Sequence, residues 1–255
     1  MSVARRVTLE EESIFLRLLC DVFDLDFRRA SSIFFAEPLH DSRQNWGLFV
    51  GDKLQSILTL TPLEFGFGPV MGISGVATLP EFRGRGQAHE LLAAAIAQAE
   101  SDGCAATCLF AHRLDLYADL GFKHVDDVIR APLLTTRYEA LDLVASPDVR
   151  EHYSRWSEAA PDRLRRDATR WDFWNWTPRS CEALNGGYFC NEGSLIREAV
   201  LEPGKPWPLG AGMEWLGLRS LTEREQVPIG PTKHDLYYMV RGTEFIPQLF
   251  MTDQF

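Results

Sequence analysis

The 255-residue sequence predicts an α/β (α+β) protein, in which strands and helices alternate around a sheet. Short segments rich in Val, Ile and Thr alternate along the first half with segments whose apolar residues recur at helical spacing. Hydrophobic residues make up 45 % of the chain and charged residues 24 %, a balance that excludes a disordered or fibrous protein. The longest uninterrupted apolar run, Leu91–Ala97, is far shorter than the roughly 20 residues of a membrane span. We therefore expect a globular protein without a membrane partner.

The charge of the chain restricts its partners. Acidic residues outnumber basic residues by 36 to 26, which gives a formal net charge of −10 and an isoelectric point near 5.1. A nucleic-acid partner is not expected, because phosphate binding requires a basic face. The first residues show no apolar leader, and the five cysteines form no CxxC pair and have no histidine at zinc-finger spacing. These features predict a cytoplasmic protein with reduced thiols and no metal site.

A change in composition near residue 135 predicts two domains. Trp46 is the only tryptophan before that point, and the other tryptophans follow it. The segment Leu133–Ser146 has no dense apolar pattern and ends in Ser-Pro, which favours a turn. We therefore predict a first domain over residues 1–134 and a second, tryptophan-rich domain over residues 135–255.

The first domain is predicted to contain both helices and strands. Thr8 and Glu11 form a capping box at the start of the first helix, and Gly51 lies in a turn that predicts a hairpin. The clearest helix ends before Gly103, a residue type that commonly ends helices. The predicted elements, in order, are Val3–Val7, a helix from Thr8, Phe27–Phe35, Trp46–Val50, Leu54–Leu60, Val70–Leu79, Gln87–Ser101, Ala106–Ala111, Leu114–Leu120 and Phe122–Ile129.

The second domain repeats this order in part, because two helical segments precede a series of strands. Its segment Arg170–Trp176 contains four aromatic residues, which predicts either packing at an interface or one aromatic wall of a pocket for a cation. The predicted helices are Val149–Ala159 and Leu164–Trp171, and the predicted strands are Gly187–Cys190, Ser194–Leu201, Met213–Leu221, His234–Val240 and Phe245–Phe250.

A glycine-rich turn in the first domain follows a strand and precedes the clearest helix. Gly84 and Gly86 allow positive φ angles and close approach of a ligand to the backbone. The first turn of the helix offers unpaired N–H groups and the positive end of its dipole, and Arg83 and Arg85 add charge. This combination predicts a phosphate cradle. It is not a dinucleotide fingerprint, because His89 replaces the third glycine, and it lacks the lysine of a Walker loop.

Two patterns resemble those of the GNAT acyl-CoA-dependent N-acyltransferases. The spacing Arg83-x-x-Gly86-x-Ala88 is similar to their pyrophosphate-binding loop, and Tyr117 begins a segment that is similar to their Y-x-x-x-G-F signature. The segment from Gly72 to Gly86 resembles the enhanced intracellular survival (Eis) acetyltransferases, and this chain has the length of their first two domains. The resemblance implies a GNAT fold, with a mixed, mostly antiparallel sheet flanked by helices. It also implies a second, degenerate GNAT-like domain without a CoA loop.

The resemblance implies that the chain transfers an acetyl group from acetyl-CoA to a primary amine. The acceptor would be a small molecule of the aminoglycoside or polyamine type, to which the acidity of the chain is suited, and a homo-oligomer is compatible with it. A peptide or protein acceptor and a non-catalytic CoA-binding sensor are the alternatives. The pantetheine arm would pair with the strand before the loop, and the diphosphate would lie on the loop. The implied CoA-binding residues are Val76, Ala77, Thr78, Arg83, Gly84, Arg85, Gly86, Gln87 and Ala88.

The sequence offers one candidate for the general acid and several for the general base. Tyr117 aligns with the tyrosine that protonates the CoA sulfur in this family, against the simpler interpretation that it packs at a helix edge. Three groups are alternatives for the base: Glu64 at a strand end, His112 directly after a strand, and the terminal carboxylate of Phe255, as in the Eis relatives. For Glu64 and His112, an ordinary exposed or structural role is the competing interpretation, and a water chain is a fourth route for the proton.

Overall fold

The computed structural model describes all residues except 42, 135–145, 185, 203–204, 206 and 208–211, and for 146, 147 and 184 it describes the backbone only. The strands are β1 Ser2–Arg6, β2 Gln44–Val50, β3 Lys53–Phe65, β4 Gly68–Thr78, β5 Ala106–Ala111, β6 Lys123–Pro132, β7 Leu164–Arg165, β8 Ser180–Leu184, β9 Gly187–Glu192, β10 Leu195–Leu201, β11 Glu214–Leu218 and β12 Lys233–Arg241. The α-helices are α1 Glu12–Phe23, α2 Phe27–Phe34, α3 Gln87–Ser101, α4 Asp115–Ala118, α5 Ser146–Glu158, α6 Ala168–Trp176 and α7 Arg219–Arg224. Short 3₁₀ turns cover Leu9–Glu11, Pro80–Phe82 and Met251–Asp253. Among these described helices, none is long and apolar enough to cross a membrane.

The strands form a single mixed sheet in the order β1-β2-β3-β4-β5-β12-β6-β11-β10-β9-β8, with β7 paired to β3 beside this path. Neighbouring strands run antiparallel except for the pairs β4–β5 and β10–β11, which are parallel. The predicted class, a mostly antiparallel sheet flanked by helices, is confirmed. Each parallel pair lies in one half of the chain, so each half repeats the same local arrangement.

Strand β12 joins the two halves of the sheet. It comes from the second half of the chain but lies between β5 and β6 of the first half, antiparallel to both. Strand β6 in turn pairs with β11. The sheet is therefore continuous across residue 134, and the division into domains 1–134 and 135–255 stays a prediction.

The elements of the first half follow the predictions closely because their signals are local. Helix α3 and strand β5 have the predicted bounds. The carboxylate of Glu11 accepts the backbone N–H of Thr8 at 3.0 Å, and a 3₁₀ turn leads from there into α1. Strands β2 and β3 form the predicted hairpin, and both extend further than predicted.

The second half departs from three predictions. The predicted helix Leu164–Trp171 is wrong at its start, because residues 164–165 pair with β3 and the carboxylate of Asp167 caps α6 by accepting the N–H of Arg170 at 2.8 Å. The predicted strand Met213–Leu221 ends at Leu218, where α7 begins. The predicted strand Phe245–Phe250 is also wrong. These residues instead pack as irregular chain, with the ring centroid of Phe250 at 4.5 Å from that of Trp156.

A buried ion cluster fixes the segment that leads to Phe255. The side chains of Arg166, Glu198 and Asp253 are completely buried. Nε of Arg166 donates to both carboxylate oxygens of Asp253 at 3.0 Å, and Nη1 donates to Oε1 of Glu198 at 3.1 Å. Glu198 also accepts Nε1–H of Trp174 at 3.0 Å. The cluster therefore ties the last residues to α6 and β10.

Candidate functional site

The centre of the site is the place where two parallel strands separate. Strand β4 pairs with β5 from Val70 to Ile73, and the register ends there. On its other side, β4 has a bulge against β3, at which Gly75 adopts a φ angle of +59°. A bulge re-aims the backbone groups that follow it. The second half of β4 therefore presents backbone groups to an opening between the strands.

The predicted phosphate cradle has the conformation that its glycines suggest. Gly84 and Gly86 adopt φ angles of +74° and +75°, and no atom lies within 4 Å of where their β-carbons would be. Gly86 is the N-cap of α3, and the first turn of a helix has N–H groups without partners inside the helix. Nε of Arg83 donates to the carbonyl of Thr78 at 3.1 Å. This loop offers N–H groups and positive charge to an anion.

A groove of about 580 Å³ starts at this loop and follows β4. It is lined by seven of the nine residues predicted to bind CoA, and Arg85 and Gln87 are not among its lining residues. Nη2 of Arg85 donates to the carbonyl of Glu81 at 3.0 Å, and the amide of Gln87 pairs with that of Gln55 on β3. The seven lining residues are Val76, Ala77, Thr78, Arg83, Gly84, Gly86 and Ala88.

A second cavity of about 360 Å³ adjoins the groove. Tyr117 lines both spaces, together with Phe23, Val76, Arg113 and Leu116. The second cavity is otherwise lined by Ile73, Ser74, Gly75, Phe110, Ala111, His112, Leu236, Gln254 and Phe255. Tyr117 therefore lies at the junction of two binding spaces.

Tyr117 is held by the short helix α4. Its ring packs edge-on against Phe122 with the centroids 6.1 Å apart, and the side chain is half-buried. Burial raises the pKa of Tyr117 above its usual value near 10, because desolvation disfavours the phenolate. The hydroxyl consequently keeps its proton at neutral pH and can act as a donor.

The three predicted bases lie in different environments. His112 is exposed at the end of β5 and lines the second cavity. The ring of Phe255 also lines it, at 5.5 Å from the ring of Phe110, and packs closely on Gly72. Glu64 lies exposed on β3, where it is paired with β7, and is not among the residues that line the two described cavities. The structure thus brings two of the three candidates to the site.

Several lining residues have no recognisable signal in the sequence. Phe23 at the end of α1 and Leu116 on α4 are about half exposed, at 50 % and 54 %, and they look like surface residues of amphipathic helices. Leu236 reaches the site only because β12 lies beside β5. The aromatic segment Arg170–Trp176 lines neither of the two described cavities. Trp171 and Trp174 pack in the core around Arg166, whereas Trp176 is 39 % exposed.

Comparison with known proteins matches the part of the chain that contains the glycine loop and Tyr117 to a described domain family. The family model of the acetyltransferase (GNAT) domain matches residues 3–125. A search of curated proteins found no significant match. In the described part of the chain, no group of three or more His, Cys, Asp or Glu residues could hold a metal ion.

Solved structures resemble the fold over most of the chain. A GCN5-related N-acetyltransferase from Anabaena variabilis has a TM-score of 0.72 at 16 % identity, with 94 % of this chain and 72 % of that chain covered. A GCN5-related N-acetyltransferase from Kribbella flavida has a TM-score of 0.70 at 17 % identity, with 94 % and 70 % covered. Eis1 from Mycobacterium abscessus has a TM-score of 0.63 at 15 % identity, with 94 % and 73 % covered. Residues 3–125 thus match the acetyltransferase (GNAT) domain, and the chain shares the fold of these solved structures.

Proposed function

We propose that the chain transfers the acetyl group of acetyl-CoA directly to the primary amine of a small molecule. One observation carries this proposal. A continuous groove leads from the glycine loop at the start of α3, along the separated part of β4, to Tyr117, where a second cavity begins. Two adjoining spaces with a proton donor between them suit a reaction between two substrates.

The groove fits the chemistry of CoA. The diphosphate is an anion, and the residues that would hold it are the N–H groups of residues 84–88 together with Arg83. The pantetheine arm carries amide groups, and the free backbone edge of Val76, Ala77 and Thr78 would pair with it, because β5 has separated from β4 at that level. Apolar side chains of the groove would cover the methylene groups.

The proposed chemistry forms a bond between the amine nitrogen and the acetyl carbon and breaks the bond between that carbon and sulfur. Tyr117 donates its proton to the departing sulfur, which it can do because it is protonated at neutral pH. The backbone N–H of Val76, after the bulge at Gly75, donates to the acetyl oxygen as negative charge develops there. A base on the second cavity takes the proton that the amine loses.

His112 is the base that we propose, because its side chain lines the second cavity beside Tyr117. Phe255 stays an alternative through its main-chain carboxylate, since its ring lines the same cavity. Glu64 would need a chain of water molecules to act from its position on β3. Replacing His112 by Gln should lower kcat by about 10²-fold or more if it is the base. A kcat that stays unchanged would assign the role to another group.

The test of the proposed function is release of CoA thiol from acetyl-CoA in the presence of primary amines. Tyr117→Phe should lower kcat by about 10²-fold and leave the affinity for acetyl-CoA unchanged, because only the hydroxyl is removed. Tyr237→Phe is a matched control, since Tyr237 is also half-buried but does not line either described cavity. Binding of acetyl-CoA without thiol release from any amine would indicate a sensor, and failure to bind acetyl-CoA would refute the proposal.

The class of acceptor needs a separate comparison. The sequence suggests an aminoglycoside or a polyamine as the small-molecule amine, with a peptide amine as the alternative. A panel that contains one member of each class, assayed at equal acetyl-CoA concentration, ranks them by kcat/KM.

A further inference from the structure

The lining of the second cavity discriminates between classes of amine. We propose that the acceptor carries a single positive charge on an apolar or aromatic body and is not a polycation. This inference rests on the proposed acetyl transfer and narrows its acceptor. It follows from the volume of the cavity, its aromatic and aliphatic side chains, and the absence of Asp and Glu among its described lining residues.

Aromatic and aliphatic side chains form the larger part of the cavity wall, and packing holds them in place. The ring of Phe110 stacks on that of Tyr238, with centroids 4.8 Å apart and planes inclined by 20°. The centroid of the Phe255 ring lies 5.5 Å from that of Phe110. Ile73 and Leu236 add aliphatic surface from β4 and β12. At about 360 Å³, the cavity is near the lower end of the roughly 300–1,000 Å³ range of ligand pockets, so it suits one aromatic ring with a short chain.

The described lining of the cavity offers no acidic side chain to a cation. Among the described residues that line it, none is Asp or Glu, and one, Arg113, is itself basic. Arg113 pairs with Asp115, whose carboxylate accepts Nε–H at 3.0 Å. The nearby carboxylate of Asp253 is completely buried and is held by Arg166.

A polycation would therefore lose water on entry without gaining side-chain carboxylates. Each additional ammonium would have to be desolvated, and no acidic side chain of the described lining would pair with it. A single ammonium can be bound without a carboxylate, because the faces of aromatic rings attract a cation. Apolar surroundings also lower the pKa of a bound amine and so favour the neutral form that attacks the acetyl carbon.

The experiment compares acceptors on the full chain by thiol release from acetyl-CoA. The probes are phenethylamine, which has one amine and one ring, and spermidine and kanamycin, which are polycations. We expect kcat/KM for phenethylamine to exceed the values for both polycations by at least about tenfold. Every reaction uses the same donor, so the ratio reports on the acceptor alone.

A charge variant tests the cause of this preference. Phe23 is 50 % exposed on α1 and lines the cavity, so Phe23→Glu should fold and place a carboxylate at its mouth. The ratio of kcat/KM for phenethylamine to that for spermidine should fall at least about tenfold. Ile14→Glu is the matched control, because Ile14 is 57 % exposed on the same helix and is not among the described lining residues. That control should leave the ratio unchanged.

The outcomes separate the two proposals. Faster turnover of spermidine or kanamycin than of phenethylamine, or an unchanged ratio in Phe23→Glu, would overturn the inference and leave acetyl transfer standing. Thiol release from none of the amines would overturn acetyl transfer and this inference together.

Discussion

Replacing Asp253 by Asn should destabilise the chain strongly, although the change removes only one charge. The buried cluster contains the cations Arg166 and Arg170, which are balanced by the carboxylates of Glu198 and Asp253. Without the Asp253 carboxylate, the cluster keeps an uncompensated positive charge in a site where Arg166 is completely buried. Breaking a buried pair in this way costs about 3–5 kcal/mol. That loss is about one fifth of the free energy of unfolding of a very stable domain, about 15 kcal/mol, and is comparable to the whole of it for a domain of about 5 kcal/mol.

The remaining carboxylate cannot compensate for the loss. Burial by itself would raise the pKa of Glu198, but the Arg166 guanidinium and the surrounding hydrogen bonds hold it below its usual value. Glu198 is thus already ionised and fully engaged. Its oxygens accept from Arg166, Trp174 and Tyr188.

Urea unfolding followed by tryptophan fluorescence measures this effect, and Asp115→Asn is the control. Asp115 also pairs with an arginine, Arg113, but both side chains are more than half exposed, at 63 % and 66 %. An exposed pair contributes little, so the control should unfold at the urea concentration of the unmodified chain. If Asp253→Asn unfolds at that same concentration, the reasoning about the buried cluster is refuted.

Two further predictions concern the first half of the chain. Gly86→Ala should lower the free energy of unfolding by about 1 kcal/mol and weaken acetyl-CoA binding, because alanine resists the positive φ angle of the glycine loop. Gly51→Ala is the control, since Gly51 has a φ angle of +59° in a hairpin turn. It should cost similar stability without changing the KM for acetyl-CoA. The hydrogen bonds from Arg5, and then from Thr8, lower the pKa of Glu11 to about 2. The stabilisation of the fold by these hydrogen bonds is therefore complete above the unfolded pKa of about 4.3 and is lost as the pH falls toward 2. The loss is less than about 1 kcal/mol, because the pair of Arg5 and Glu11 is partly exposed. Glu11→Gln should abolish this pH dependence in urea titrations, and an unchanged dependence would contradict the assignment.

The features that depend on neighbouring residues were predictable. The glycine loop, the capping box of Thr8 and Glu11 and the helix α3 each follow from residues a few positions apart, and the structure has them where the sequence predicts, although the box caps the 3₁₀ turn that leads into α1. The same holds for the place of Tyr117, because α4 directly follows β5 and returns its tyrosine to the groove. The strand predicted over Phe245–Phe250 is wrong, because a short apolar segment gives the same sequence signal whether it forms a strand or packs in the core as irregular chain.

The sequence alone was enough to match residues 3–125 to the acetyltransferase (GNAT) domain and to predict the glycine loop before α3, since that loop is made of contiguous backbone. The lining of the second cavity, by contrast, depends on the tertiary structure. The second cavity requires β12 to lie between β5 and β6, and it requires the buried cluster at Asp253 to bring Phe255 against Phe110. Both contacts join residues more than a hundred positions apart. Local periodicity fixes which face of a strand is apolar, but it carries no information about which distant strand will cover that face.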